Sequence, residues 1–385
     1  MQRHSSRIEL SQSALQNNLD FIRRKAGNDT VISSVVKANA YGHGIQEIVP
    51  MAEKCGIRHF AVASSYEAEE VIDARTTDAD IMIMGILYPE DLPWVIEQQI
   101  EFFVYDYNRL KRVIEVAEKI DEKAHIHLEL ETGGNRTGLK EDQLDAVIKQ
   151  IKKHSDQLIL EGVCTHYAGI ESLSNQSRIQ QQLKKFGGMV DYIQSSGINP
   201  RLQHTACSAA ALAFPETVMD LVRIGTAQYG LWPSPDIYNL HLLEENKVSD
   251  NPLQQVLSWK TDIMHLKEVP KGDFIGYGTS YCASRDMQIA VIPVGYGNGY
   301  ARSLSNRGHV LIRGERAPIV GSVNMNVFMV DVTDIENVQI RDEVVMIGSQ
   351  EKNAITIKSF TEVSDAINNE FISRLPAAIN RKVVS

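Results

Sequence analysis

The chain has 385 residues, 43% of them hydrophobic and 23% charged, which is ample for a large core and long enough for two domains or one barrel with an appendage. A formal net charge of -10 argues against nucleic acid or an anionic membrane surface as partner, since both require a basic face. MQRHSSRIEL lacks the apolar core of a signal peptide, no apolar run approaches a membrane span, and Cys55, Cys164, Cys207 and Cys282 form no CxxC or Cys/His pairing; reduced structural thiols, no metal site and a cytoplasmic location are expected.

In chain order, RIELSQSALQNNLDFIRRK reads as a short strand, a Ser11 cap and a leading helix. Eight short apolar runs follow: VISSVV (31–36), HFAVA (59–63), IMIMG (81–85), EFFVY (101–105), IHLEL (126–130), LEGVCTH (160–166), RLQHT (201–205) and LVRIGT (221–226). Helical segments such as EAEEVIDAR (67–75) and EDQLDAVIKQIKKH (141–154) separate most of them. Continuous apolar runs alternating with helices are the pattern of buried parallel strands, and eight such units make an α/β (β/α)8 barrel of the TIM type. The polar stretch 238–253 is the candidate linker. Beyond it QQVLSWKTDIMHL, QIAVIPVGYGNGY, GHVLIRGERAPIVG, VFMVDVTDI and DEVVMIGSQ predict an all-β domain, closed by a helical stretch near 356–374. The expected domains are 1–245, the barrel, and 246–385, the C-terminal β domain.

A barrel of this kind carries its active site at the C-terminal ends of its strands. Lys37 directly follows the first run, Arg136 lies in TGGNRTG after the fifth, and the sixth ends at His166. Ser208 follows the seventh, and the eighth carries Arg223, Gly225 and Thr226. A lysine after a buried strand has its stem desolvated, which lowers its pKa from about 10.4 and favours an imine-forming neutral amine. By position alone Lys37 also reads as a lysine snorkelling from a strand end, but AxxYGHG behind it puts Tyr41 one turn onward, with glycines that admit a phosphate or ring. Ser208, at the start of CSAAALAF, reads as an N-cap or a phosphate ligand, His166 as a core histidine or a catalytic one, and Arg136 as a surface cation or a carboxylate clamp.

Seven motifs in order make the chain resemble the alanine racemase family over essentially its whole length: VVKANAYGHG (35–44), ETGGNRTG (131–138), CTHYA (164–168), VRIGTAQYG (222–230), GYGTSY (276–281), PVGYGNGY (293–300) and APIVGSVNMN (317–326). The resemblance implies an amino-acid racemase, an isomerase using pyridoxal 5'-phosphate (PLP), in a head-to-tail homodimer with shared active sites. Lys37 would carry the cofactor as a Schiff base, and Tyr41, Ser208, Gly225 and Thr226 would hold its phosphate. His166 would pack on the pyridine face and Arg223 would meet the pyridine nitrogen. Tyr277, from the partner subunit, would be the second base opposite Lys37. Arg136 and the backbone of Met325 would take the substrate carboxylate. Alanine is the implied substrate and D-alanine supply one implied role.

The sequence departs from the family pattern where many members have a lysine and this chain has Glu129. Asn298, Asn324 and Asn326 replace acidic or thiol groups, and Ser373 stands for a tyrosine near the C-terminus. These changes keep serine, or a broader range of amino acids, as an alternative substrate. A PLP-dependent decarboxylase shares the lysine setting, but its consecutive glycines and its cysteine–aspartate pair are missing here. A non-catalytic PLP carrier would lack the β domain and the Tyr277 motif.

Overall fold

The computed structural model describes residues 4–245, 251–361 and 368–385. The chain divides into two compact units, Leu15–Ala38 with Ile48–Gln254, and Met1–Ala14 with Asn39–Glu47 and Gln255–Ser385.

After a first strand, β1 (Ser6–Ser11), come β2 (Val31–Val35), β3 (His59–Val62), β4 (Asp80–Ile83), β5 (Glu101–Val104), β6 (Ala124–Glu129), β7 (Leu158–Cys164), β8 (Leu202–His204) and β9 (Leu221–Ile224). These last eight form one parallel sheet in the order β8-β7-β6-β5-β4-β3-β2-β9. Its ends meet. The Arg223 N–H donates to the Ala206 carbonyl at 2.9 Å and the Asp220 N–H to the Gln203 carbonyl at 3.1 Å, so the sheet closes into a barrel. Each apolar run overlaps one of these strands.

The helices between them have one apolar face. In Tyr107–Ile120 the buried residues are Leu110, Val113, Ile114 and Ala117, a spacing that aligns them along one side. Asp106 caps this helix by accepting from the Arg109 N–H at 2.9 Å, and Asp121 ends it at φ 58°. Ser11 caps the leading helix, Gln12–Ala26, accepting from the Ala14 N–H at 3.1 Å.

The other unit holds β10 (Leu257–Asp262), β11 (His265–Val269), β12 (Met287–Ile292), β13 (His309–Ile312), β14 (Glu315–Pro318), β15 (Phe328–Asp331), β16 (Glu343–Gln350), β17 (Asn353–Ile355) and β18 (Asn380–Val384). One sheet runs β14-β13-β16-β10-β1-β18 with β17 on β16, and a second runs β11-β12-β15. Trp259, Tyr300, Phe328, Phe360 and Phe371 pack their rings together in its core.

Three expectations change. β1, read as the opening of the barrel domain, pairs with β10 and β18 of the second unit. Its burial alternates, with Ser6, Ile8 and Leu10 inside, as a half-buried sheet strand requires and a barrel strand buried on both faces does not. The first half of the candidate linker is helix, Pro235–Glu245, whereas residues 246–250 lie outside the described residues. The C-terminal stretch is helical as expected, at Ile357–Thr361 and Asn368–Ser373 with 362–367 outside the described residues, but it does not close the chain, because β18 follows it.

Candidate active site

The strand ends bring Lys37, Arg136, His166, Ser208, Arg223, Gly225 and Thr226 to one rim of the barrel. Lys37 follows β2, whose exit is fixed by the Val36 N–H donating to the Ala61 carbonyl at 2.9 Å. The next residue is held by Glu67, whose carboxylate accepts from the N–H groups of Ala38 and Ala63, each at 2.7 Å. Lys37 is solvent-accessible, yet its amine has a lowered pKa: the surrounding protein desolvates it, Arg136 and Arg223 repel its proton, and Glu67 opposes them.

The turn after Lys37 has the unusual hand. Ala38, Asn39, Ala40 and Tyr41 have φ of 52–53°, one turn of left-handed helix. Each such residue costs about 1–2 kcal/mol, so the turn depends on its bonds. The Gly44 N–H donates to the Asn39 carbonyl at 2.9 Å and the Ile45 N–H to Asn39 Oδ1 at 2.9 Å. Arg381 Nη2 donates to the Gly42 carbonyl at 2.8 Å. Tyr41 does lie one helical turn past Lys37, but on a turn of opposite hand to the one a sequence reading assumes.

The Arg136 loop is organised by Glu131, which accepts from the N–H groups of Gly133 at 2.6 Å and Asn135 at 2.9 Å. Gly138, at φ 127°, has no room for a side chain, since a Cβ there would sit 2.7 Å from the Glu131 nitrogen. Arg136 itself is exposed, on the wall of a cleft of about 100 Å³ shared with Glu129, Thr132, Thr165 and His166. Burial raises the Glu129 carboxyl pKa, against a hydrogen bond from Thr137 and the charge of Arg136. Glu129 thus stands close enough to Arg136 to feel its charge, and its Oε2 is buried with no hydrogen-bond partner among the described residues.

The surrounding protein and the cations Arg223, Arg136 and Lys37 lower the His166 pKa to about 3, so its imidazole is neutral near pH 7. Arg223 is buried. Its Nη1 donates to the His204 ring and, at 2.9 Å, to the His204 carbonyl; its Nη2 donates to the carbonyls of Thr165 at 2.7 Å and Thr205 at 3.2 Å. Nε takes no part in these bonds. Ser208 Oγ accepts from the Gly225 N–H at 3.0 Å and the Ala227 N–H at 3.4 Å, so the serine and the turn after β9 form one polar cluster.

Tyr277 and Met325 belong to the other unit. Tyr277 is 80% exposed between Gly276 and Gly278, both at positive φ. Met325 is 57% exposed, and its carbonyl accepts from the Gly297 N–H at 2.8 Å. Asn298 is used locally, its Oδ1 accepting from the Gly295 N–H at 3.1 Å. Ser373 is exposed and donates to the Glu370 carbonyl at 3.2 Å. Sequence reasoning missed Glu67, Glu131 and the histidines behind Arg223; polar residues inside otherwise apolar strands, His127 and His204 among them, were the available signal.

A barrel rim with an amine of lowered pKa beside two guanidinium groups is the equipment of an enzyme acting on a small anionic molecule. The family models "Alanine racemase, N-terminal domain" and "Alanine racemase, C-terminal domain" match residues 10–233 and 256–383. The alanine racemase of Halothermothrix orenii is 34% identical over 97% of this chain and 95% of its own length. That of Methanococcus maripaludis is 34% identical over 98% of both. Among solved structures, alanine racemase from D-cycloserine-producing Streptomyces lavendulae superposes with a TM-score of 0.89 at 28% identity, covering 100% of this chain and 98% of that one. The Bacillus anthracis enzyme with bound L-Ala-P gives 0.89 at 30% identity, covering 100% and 96%. The chain belongs to the alanine racemase family, and it is an isomerase of the racemase class.

Proposed function

We propose that this protein interconverts L- and D-alanine with PLP as cofactor, working as a cytoplasmic homodimer whose subunits share active sites. The observation that carries this reading is the convergence of Arg136 and Arg223 on Lys37 and His166 at one barrel rim, where the two arginines lower the pKa of both. The donor set suits PLP. Lys37 offers an amine of lowered pKa for the aldehyde, and among the described residues Arg223 Nε is uncommitted while its other nitrogens are bonded to protein. Ser208, Gly225 and Thr226 gather a hydroxyl and backbone N–H groups for the phosphate, with Tyr41 as a further ligand. When bound, PLP supplies a sink for the electron pair left by breaking the α-carbon–hydrogen bond.

The chain's own residues then do the following. Lys37 Nζ, whose pKa is lowered, takes or returns the α-proton on one face, and Tyr277 Oη of the partner subunit serves the other. Removal on one face and return on the opposite one inverts the centre; Lys37 serves the D-enantiomer and Tyr277 the L-enantiomer. Arg136 and the Met325 N–H hold the carboxylate. His166, neutral, packs on the ring without adding charge. Arg223, whose guanidinium can only donate, would meet the ring nitrogen and leave it without a proton, which would limit side reactions such as transamination. The high exposure of Tyr277 suits a residue that completes a second copy's site.

The test is a panel of L-amino acids given to purified protein with PLP, reading the D-enantiomer formed. Alanine is expected to turn over fastest. Faster turnover of serine or basic residues overturns the substrate assignment, and release of carbon dioxide without inversion overturns the racemase assignment.

A further inference from the structure

Behind Arg223 a buried chain of side chains crosses the barrel interior. Arg223 Nη1 meets His204 Nδ1, His204 Nε2 lies 2.9 Å from His127 Nδ1, and His127 Nε2 lies 2.8 Å from Glu101 Oε2. The same oxygen is 3.2 Å from His59 Nε2, and His59 Nδ1 is 2.8 Å from Ser33 Oγ. Chemistry assigns every proton in the main chain. A guanidinium can only donate, so His204 Nδ1 must be bare and its proton sits on Nε2. His127 Nδ1 must then accept, leaving its proton on Nε2 to be donated to Glu101. A carboxylate that only accepts is the terminus this order requires. Burial opposes ionisation of Glu101, but the bonds from His127 and His59 outweigh it and hold the carboxyl well below its usual range. The two rings meet edge-on at 4.9 Å, with Phe103 packed against both.

We propose that Glu101 is a positioning residue: through His127 and His204 it fixes both imidazole tautomers and so orients the Arg223 guanidinium at the rim. This rests on the reading of Arg223 as the group that meets the cofactor ring. Without Glu101, the His127 N–H loses its acceptor, either tautomer becomes accessible, and a proton on His204 Nδ1 would confront the guanidinium.

The test uses the PLP-loaded protein labelled with ¹⁵N-histidine. Long-range ¹H–¹⁵N spectra of the parent are expected to show His127 and His204 protonated on Nε2 alone; an Nδ1 proton on either overturns the proposal before any substitution is made. Glu101→Ala is expected to convert at least one of them to mixed tautomers and to shift the pH profile of the bound cofactor's absorption. It should also lower kcat about tenfold with KM for alanine little changed. Glu101→Gln, whose amide oxygen can accept from His127, should restore the tautomers and most of kcat. Tautomers and absorption left unchanged in Glu101→Ala would refute the role of Glu101. Arg223→Gln separates the two readings: an unaltered cofactor spectrum in that variant refutes the placement of Arg223, whatever the histidines show.

Discussion

Gly162 in β7 is the position where a single methyl group tests the barrel interior. An added Cβ would lie 2.5 Å from His127 Nδ1, 3.1 Å from His127 Cε1 and 3.0 Å from the Leu202 carbonyl oxygen. Neither neighbour can retreat easily. The His127 ring is bonded through both nitrogens and packed on Phe103, and the carbonyl belongs to the backbone of β8, paired with β7 in register Gly162↔Leu202. Overpacking of this kind costs about 1–3 kcal/mol, and loss of the His127–His204 bond adds about 1 kcal/mol. Gly162→Ala is therefore expected to destabilise the barrel by about 2–4 kcal/mol, a melting temperature lower by roughly 5–15 °C for a unit of this size. Thermal melts followed by circular dichroism measure it. Gly188→Ala, on the helix Gln176–Ser195 with nothing within 4 Å of the added Cβ, is the control and should stabilise by about 0.5–1 kcal/mol. If Gly162→Ala melted with the parent, the argument that His127 is rigidly held would be refuted.

Tyr277→Phe should retain PLP absorbance while largely abolishing racemisation; near-parental rates would remove the second base from the mechanism. Glu67→Ala strips the acceptor from the Ala38 and Ala63 N–H groups, and it is expected to weaken PLP retention measured by dialysis and absorbance, with a smaller effect for Glu67→Gln. Burial holds the His43 pKa down to about 4, below its ordinary 6.5, despite hydrogen bonds to the Tyr41 and Ala40 carbonyls that oppose the shift. Between those values the unfolded chain binds the proton and the folded one does not, so stability is full above pH 6.5 and falls with acid, by about 3 kcal/mol from this group. Melting at pH 7.5 and pH 4.5 should show a smaller acid loss in His43→Gln than in the parent; equal losses would assign the acid sensitivity elsewhere.

The order of the barrel strands and the rim positions of Lys37, Arg136, His166, Ser208 and Arg223 were legible because burial on both faces leaves a local mark, a continuous apolar run with polar residues just past its end. The all-β texture after about residue 250 was legible for another reason, short β-rich segments with Gly, Asn and Asp between them. Alternation in β1 carried its membership of the second unit, but a six-residue strand beside a strong helix signal reads equally well as either. The left-handed turn at 38–41 leaves little trace in composition, since alanine and tyrosine do not favour that hand; it is held by bonds to Glu67 and, within the second unit, Arg381. The path from Arg223 to Glu101 is the clearest case of what tertiary structure alone decides. Its members come from β9, β8, β6 and β5 and meet because the sheet closes, so their partners, tautomers and charge follow from contacts between residues 19 to 77 apart in sequence. Sequence by itself determined which residues stand at the rim, because burial is written locally; which atoms each one binds was decided by closure of the barrel.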